Sequence, residues 1–211
     1  IEKPMACSVG DCEAMIELCR KSNVRLAVNQ SRRHDPMYRW LRSRIRSGEW
    51  GVIRTIWIQR PGIGLGCLAT HSFDLATFLA DSRVSEVSAW IDSPIGTNPR
   101  GEQFVDPGGL VIGILDSGAR MIVAQIEDGS GPMSVEIDLT GARVRIDEKA
   151  DQVEVIARDL SVIPGPNRPP IYNSVPIPEG LSARTNMGIM LTGVLQELVT
   201  GGTMECDAEY G

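Results

Sequence analysis

Hydrophobic positions recur at helical spacing in four stretches of the chain. Ser8 with Asp11 three residues later gives the first stretch a capping-box-like start, and Asp35 followed by Pro36 caps the second. Each stretch carries its apolar residues on one side, which is typical of a helix with one buried face. The predicted helices cover residues 8–21, 36–48, 73–79 and 187–199.

From residue 52 onward the alternation of apolar and polar positions changes to a period of two, which predicts β-strands. The strand candidates are residues 52–58, 84–91, 110–115, 121–126, 135–139, 144–146 and 153–157. Turn residues at 116–118 and 140–141 favour an antiparallel meander. Such a sheet commonly buries one face and leaves the other open, so we predict an α+β fold. Its open, mainly antiparallel sheet is covered on one face by helices 73–79 and 187–199. Six prolines in residues 164–178 predict an irregular surface excursion.

Composition excludes several classes of function. The net charge of −6 disfavours a nucleic-acid or anionic-membrane surface, because both need a basic field. No apolar run approaches the roughly 18 to 20 residues of a membrane span, and the chain start carries no secretion signal. The five cysteines include no C-x-x-C pair, which predicts neither a disulfide framework nor a metal site and favours a reducing cytoplasm.

Arginines form the one basic patch: Arg32, Arg33, Arg39, Arg42, Arg44 and Arg46. A solvated helix surface is the simpler interpretation. The alternative is a grip on a cofactor phosphate or an acidic substrate, since guanidinium groups match both. A nucleic-acid-binding function is the weakest interpretation of this patch, because acidic residues elsewhere offset these charges.

Short motifs follow one another in a recognisable order: Glu2-Lys3-Pro4, a capped helix, a strand ending near Asn29, Arg33-x-x-Pro36, a Gly48-x-x-Gly51 turn and a His71-x-x-Asp74 helix. This order resembles the Gfo/Idh/MocA family of NAD(P)-dependent sugar and polyol oxidoreductases, which includes glucose–fructose oxidoreductase, inositol dehydrogenase and rhizopine catabolism proteins. The resemblance spans essentially residues 1–210. It implies a chain truncated at its N-terminus, without the cofactor-holding part of the family, and also shortened at its C-terminus.

The resemblance also implies a domain division. Residues 24–28 alternate as a strand, and with the preceding helix and the strand end at the chain start they form a β-α-β unit. We interpret residues 1–35 as the remnant of a dinucleotide-binding Rossmann domain, whose ligand lies at the carboxyl ends of its strands. Residues 36–211 are expected to be an α+β substrate-binding and oligomerisation domain.

Two residues are implied to be catalytic. Oxidation of a hydroxyl by hydride transfer needs a group that takes the hydroxyl proton and a cation that stabilises the developing alkoxide. By resemblance, Lys3 lies beside the nicotinamide and the substrate hydroxyl, with a cis peptide before Pro4, and His71 is the acid/base. Asp74, three residues on, shares the helix face with His71 and is expected either to orient its ring or to face solvent. The residues implied to bind the cofactor are Glu2, Lys3, Pro4 and Asn29. Those implied to bind the substrate are Arg33, Cys67, Thr70 and Asp74.

One position departs from the family. An aspartate commonly stands four residues before the histidine, and here that position is Cys67. A thiol is a poorer partner for a hydroxyl than a carboxylate, so Cys67 favours a second interpretation, a non-catalytic ligand-sensing relative such as the co-repressor of galactose genes. The glycines at 62, 64 and 66 lack the context of a phosphate-binding fingerprint and predict a flexible substrate-side loop. NAD or NADP is therefore expected in the full-length parent and not on this chain alone.

The predicted sheet also has a consequence for assembly. Ile112 and Ile114 lie on one face and Val111 and Leu115 on the other, so both faces are apolar at this strand. A homodimer or tetramer through the open face is expected, in line with the resemblance. The alternative is that a loop or the proline-rich stretch covers this face. The other expected partner is a small sugar or polyol substrate. No nucleic-acid or membrane partner is expected.

Overall fold

The alternating region builds one open sheet in this computed structural model, which describes residues 1–62, 64–93, 101, 103–126, 131–201 and 204–208. The strands within those residues are β1 (Ile53–Pro61), β2 (Val84–Ile91), β3 (Gly109–Leu115), β4 (Arg120–Ile126), β5 (Ser134–Leu139), β6 (Ala142–Asp147), β7 (Gln152–Arg158) and β8 (Tyr172–Ser174). All seven predicted strands are present. The eighth lies inside the proline-rich stretch and pairs with β7, so that stretch is not wholly irregular.

The order of strands across the sheet is β2-β3-β4-β1-β5-β6-β7-β8. Only β1 and β4 run parallel, and every other neighbouring pair is antiparallel. The α+β class with an open, mainly antiparallel sheet is confirmed. The simple meander is wrong, because the first strand in sequence lies at the centre. Period-two alternation identifies a strand but carries no information about which strands become its neighbours.

The helices are α1 (Val9–Lys21), α2 (Pro36–Arg46), α3 (Thr70–Ala80) and α4 (Met187–Thr200), with a short 3₁₀ helix at Ser31–His34. Both predicted caps are present. The Ser8 hydroxyl accepts from the Asp11 backbone N–H at 3.1 Å, and the Asp35 carboxylate accepts from Met37 N–H at 2.9 Å. Gly48 and Gly51 have φ of +74° and +78°, which confirms the predicted turn. A Cβ at Gly51 would lie 2.0 Å from the Thr140 hydroxyl.

The hydrophobic core lies between one face of the sheet and two helices. Its largest members include Trp50, Tyr38 and Leu41 near α2, Leu75 and Leu79 of α3, and Ile56 and Ile58 of β1. The prediction that α4 covers the sheet is wrong. Helix α4 packs chiefly on the 3₁₀ helix, and a smaller cluster joins its Val194 to Ala27 and Cys206. Its place over the sheet is taken by α2, whose Met37, Tyr38 and Leu41 are all buried.

Two predicted features near the chain start differ from the structure. Residues 24–28 form no regular strand, and only an isolated bridge joins Ala27 to Asp207. The backbone of Val28 donates to Cys206 at 3.0 Å, and Ala208 donates to Leu26 at 3.2 Å, so the C-terminal segment is the partner of this stretch. Helix α1 has no buried residue. Its apolar stripe is half-exposed because no other described element packs closely against it.

The face of the sheet away from the helices divides into two halves. Residues paired directly across strands share a face, which places Trp57, Ile122, Ile112 and Trp90 on the open side. Trp57 is 41% exposed and Trp90 is 61% exposed. Across β5 and β6 the same face carries ion pairs between Arg143 and Asp138 and between Arg145 and Glu136. Half of the open face is therefore apolar and half is charged. None of the helices formed by the described residues has the length and apolar character that a membrane crossing demands.

Candidate functional site

The N-terminal residues lie against the stretch that ends at Asn29. The Ile1 backbone nitrogen donates to the Ala27 carbonyl at 2.7 Å, and the Asn29 backbone N–H donates to the Ile1 carbonyl at 2.8 Å. The Asn29 amide donates to the Glu2 carboxylate at 2.9 Å, and the Lys3–Pro4 peptide is cis, as predicted. The structure thus brings together the four residues that the resemblance implies for the cofactor, Glu2, Lys3, Pro4 and Asn29.

Lys3 reaches from this segment to the loop before α3. Its ammonium donates to the backbone carbonyl of Cys67, 64 positions along the chain. The Thr70 hydroxyl donates to the same carbonyl at 3.1 Å. The hydrogen bonds that Lys3 and Thr70 donate to position 67 therefore end on the peptide oxygen of Cys67.

The loop that carries Cys67 is anchored by a residue that sequence reasoning missed. The Asp106 carboxylate accepts from the backbone N–H of Gly66 at 2.7 Å and from that of Cys67 at 2.8 Å. Gly64 has φ of +97°, and a Cβ there would lie 1.9 Å from the same carboxylate. The glycines allow this close approach, so Gly66 and Cys67 are tied to Asp106, and the flexibility of the loop stays a prediction. Ile63 lies outside the described residues.

His71 sits in the first turn of α3 and is half-buried. Burial lowers the pKa of the ring to about 3, and the positive charges of Lys3, Arg32 and Arg60 act in the same direction. The imidazole is therefore neutral at physiological pH. Its Nδ1 is buried and has no hydrogen-bond partner among the described residues. A neutral ring with an unused nitrogen can accept a hydrogen bond from a hydroxyl group, while its lowered pKa makes it a weaker base than a free imidazole.

Arg60 is the second residue that sequence reasoning missed, and here a signal was present. It follows Ile56 and Ile58 at two-residue spacing, so the strand alternation places it on the buried side of β1, at the carboxyl end. Its guanidinium donates to the Leu68 carbonyl at 3.3 Å, and no carboxylate in the described ranges lies within ion-pair distance. Burial and the charge of Arg32 lower its pKa. A charged residue on the apolar side of a strand is expensive, which marks it as a functional candidate.

Arg33 and Asp74, both predicted to bind substrate, bind each other. Arg33 Nε donates to Asp74 Oδ1 at 2.9 Å, and both side chains are buried. Arg33 also donates to the Glu205 carbonyl. Burial raises the pKa of Asp74, and the contact with Arg33 opposes that shift. Asp74 makes no hydrogen bond to His71, so the prediction that it orients the ring is wrong.

The arginine patch is largely neutralised by acidic residues. Arg32 forms a bidentate ion pair with Glu148, whose carboxylate also accepts from the Tyr38 hydroxyl at 2.8 Å. Arg42 pairs with Asp81 and Glu205. Arg44 pairs with Glu49 and Arg46 with Asp81. The patch is neither a simple solvated surface nor a free phosphate grip.

The comparisons with known proteins agree with this architecture. No family model matches the chain. The sequence is 27% identical over 142 residues to an uncharacterized oxidoreductase, YrbE, of Bacillus subtilis (strain 168), an alignment that covers 61% of this chain and 38% of that protein.

Two solved structures illustrate the likeness in three dimensions. An oxidoreductase from Agrobacterium radiobacter in complex with NAD+, L-tartaric acid and magnesium has a TM-score of 0.72 at 18% identity, covering 99% of this chain and 65% of that one. The super-repressor mutant of Gal80p from Saccharomyces cerevisiae has a TM-score of 0.71 at 15% identity, covering 98% and 60%. The chain shares their fold. It spans less than two thirds of the length of each of these three relatives.

Proposed function

We propose that the chain is the substrate-binding and oligomerisation part of an NAD(P)-dependent oxidoreductase that transfers a hydride between the cofactor and a sugar, polyol or related hydroxy compound. The observation that carries this proposal is the placement of Lys3 on the Cys67 carbonyl, where its charge acts on the neutral ring of His71. The fold shared with an oxidoreductase solved with NAD+ and L-tartaric acid supports the choice of reaction.

In the proposed mechanism, His71 accepts the proton of the substrate hydroxyl. A pKa of about 3 keeps the ring unprotonated before the reaction but also makes it a weak base, so proton transfer to it depends on neighbouring positive charges that make the hydroxyl more acidic. The Lys3 ammonium and the Arg60 guanidinium lie among the groups that bear on the same ring, and their positive charge stabilises the alkoxide character that develops as the proton leaves. A bound nicotinamide would supply the hydride acceptor.

The residues at the chain start fit the nicotinamide end of such a cofactor. Asn29 Oδ1 is buried and has no hydrogen-bond partner among the described residues, which leaves an acceptor that a carboxamide N–H can satisfy. Glu2 holds the amide of Asn29 in place from the other side. The sequence of this chain contains no glycine-rich pyrophosphate loop, so we propose that NAD(P) is held mainly by residues outside it.

The open face of the sheet is proposed as the surface on which two copies meet. Trp57 and Trp90 are large, apolar and exposed there, next to half-exposed Ile112 and Ile122. Contiguous apolar patches of this kind mark interaction sites. The ion pairs on the neighbouring half of the face supply a polar rim, as in other protein interfaces.

A ligand-sensing relative is the second candidate, favoured by Cys67 and by the fold shared with Gal80p. The test is NADH or NADPH formation from a panel of aldoses, polyols and hydroxy acids, using the complete product of the gene. Turnover with any of them supports the oxidoreductase. If a compound binds saturably but no NADH or NADPH is formed, and if the Cys67→Asp variant gives the same result, the ligand-sensing function would replace the oxidoreductase proposal.

A further inference from the structure

A second cluster of polar side chains lies where the 3₁₀ helix, α4 and the C-terminal segment meet, and it shares no residue with the Lys3–His71 pair. Its members are His34, Glu197 and Cys206. His34 is 5% exposed, Cys206 is 1% exposed, and Glu197 is half-buried. One ligand atom from each, a ring nitrogen, a carboxylate oxygen and a thiol sulfur, lies within 4.8 Å of the other two.

These distances can be compared with those of a metal site. With Zn–N and Zn–O bonds of about 2.1 Å and a Zn–S bond of about 2.3 Å, a tetrahedral ion spaces its ligand atoms by about 3.4 to 3.6 Å. His34 Nε2 and Glu197 Oε2 are 3.4 Å apart, which already matches. The sulfur needs a movement of about 1 Å, within reach of small side-chain rotations around fixed backbone positions. The three donors are therefore close to a binding geometry without an ion.

The hydrogen bonds around the cluster leave its ligand atoms able to bind an ion. His34 Nε2 is buried and faces Glu197 Oε2 at 3.4 Å without a well-aligned hydrogen bond to any described residue, so the nitrogen can still take a ligand bond. Within the described residues, Cys206 Sγ makes a single weak hydrogen bond, to the Gln30 carbonyl at 3.3 Å. Glu197 Oε2 accepts from the Glu205 backbone N–H at 3.0 Å, which orients the carboxylate as an outer partner orients a metal ligand.

We propose that His34, Glu197 and Cys206 bind a zinc ion, with a water molecule as the fourth ligand. On binding, the sulfur–hydrogen bond of Cys206 breaks, the thiolate forms the zinc–sulfur bond, and the proton passes to solvent. Thiolate and carboxylate together neutralise the charge of the ion. Nitrogen, oxygen and sulfur in one set favour zinc over magnesium or calcium, which prefer oxygen alone.

A bound ion would tie three separate segments to one point. His34 follows Arg33, whose partner Asp74 belongs to the same helix as His71. Zinc at His34 therefore supports the segment that holds α3 in position. The competing interpretation is a metal-free core in which His34 Nε2–H points at Glu197, and the proximity of Arg39 Nη1 to His34 Nδ1, 3.5 Å away, is compatible with that tautomer.

The test uses the metal-free chain titrated with Zn²⁺ by calorimetry, and with Co²⁺ by absorption spectroscopy. We expect one ion per chain and a sulfur-to-cobalt charge-transfer band in the near ultraviolet. Glu197→Gln and Cys206→Ser should each weaken Zn²⁺ binding by more than about tenfold, the lower bound seen when even an outer partner of a metal ligand is lost. Cys19→Ser, a control in the half-exposed stripe of α1, should bind as the unaltered chain does.

Circular dichroism and the thermal midpoint of each metal-free variant establish that it folds. Glu197→Gln keeps the size of the side chain and its acceptor for Glu205, so it remains informative if Cys206→Ser is unstable. Absence of Zn²⁺ binding below about 1 mM would overturn the proposal. Equal binding by the unaltered chain and Cys206→Ser, or loss of binding only in Cys19→Ser, would also overturn it, because the ion would then lie elsewhere.

Discussion

The Lys3 ammonium hydrogen-bonds to the backbone carbonyl of Cys67, so the start of the chain and the loop before α3 are joined by one lysine. Its charge is the second largest contribution, after burial, to the lowered pKa of His71. The two residues proposed to perform the chemistry are thus electrostatically coupled, and a change in one alters the proton affinity of the other.

The first prediction concerns turnover. In the complete gene product, Lys3→Met and His71→Gln should each lower kcat by roughly 10²-fold, because one removes the cation and the other the proton acceptor. Lys21→Met is the control, since Lys21 is a surface lysine whose side chain is 72% exposed. Steady-state assays with circular dichroism on each variant give the result. Near-normal turnover in either site variant would remove that residue from the mechanism.

The second prediction concerns the protonation of His71. Nuclear magnetic resonance on the chain should show a ring that stays neutral down to about pH 3, and Lys3→Met should raise this pKa because it removes a neighbouring positive charge. A depressed pKa also affects stability. The unfolded chain takes up a proton below about 6.5 and the folded chain does not, so stability is present above that pH and is lost as the pH falls towards 3.

The stability measurement needs a matched variant, because burial lowers the pKa of His34 as well and its effect has the same sign. Urea unfolding at a series of pH values should give a shallower dependence in His71→Gln than in the unaltered chain. An identical dependence in the two proteins would mean that His71 is as easily protonated in the folded state as in the unfolded state.

A third prediction concerns the buried pair of Arg33 and Asp74. Asp74→Ala leaves a buried guanidinium without its carboxylate and should cost about 3 to 5 kcal/mol of unfolding free energy. Asp138→Ala breaks an exposed pair with Arg143 on the sheet and should cost less than about 1 kcal/mol. Urea unfolding measures both. Equal costs would show that burial of the Arg33–Asp74 pair has no energetic consequence.

The fourth prediction concerns the cofactor. The sequence contains no loop to hold a pyrophosphate, so the chain alone should bind NAD+ and NADP+ more weakly than about 1 mM in calorimetry. The complete gene product provides the comparison in the same buffer. Micromolar binding to these 211 residues would contradict the assignment of the phosphate contacts to another part of the protein.

The fifth prediction concerns assembly. Light scattering should give a mass above the 22.9 kDa of one chain, and Trp57→Glu should shift the protein towards that single-chain mass, because it places a charge in the apolar half of the open face. Val199→Glu is the matched control, at an apolar residue of α4 that is 85% exposed. A mass of one chain at every concentration would rule the dimer out.

Most elements of this fold follow from sequence pattern, because capping and alternation are local, but the strand predicted at residues 24–28 is not formed. Ser8, Asp35 and the alternation from residue 52 each produce the element that they predict. What the pattern misses is tertiary. No local sequence signal shows that Asp106 will accept hydrogen bonds from Gly66 and Cys67. Only the folded structure shows that Arg33 and Asp74 form an ion pair with each other. The site is predictable as a set of candidates, and their division into chemical and supporting roles depends on the fold.

The central position of β1 has a consequence for how the chain folds. Its partners β4 and β5 come later in the sequence, after α3, β2 and β3, so the middle of the sheet cannot close until a long loop has been brought together. Closing that loop costs entropy before the buried Ile56 and Ile58 gain their neighbours. During synthesis on the ribosome, β1 emerges before β4 and β5, so both of its edges stay unpaired until those strands follow. Folding should therefore be slow for a chain of this size, and β1 should be the segment most exposed to aggregation during synthesis.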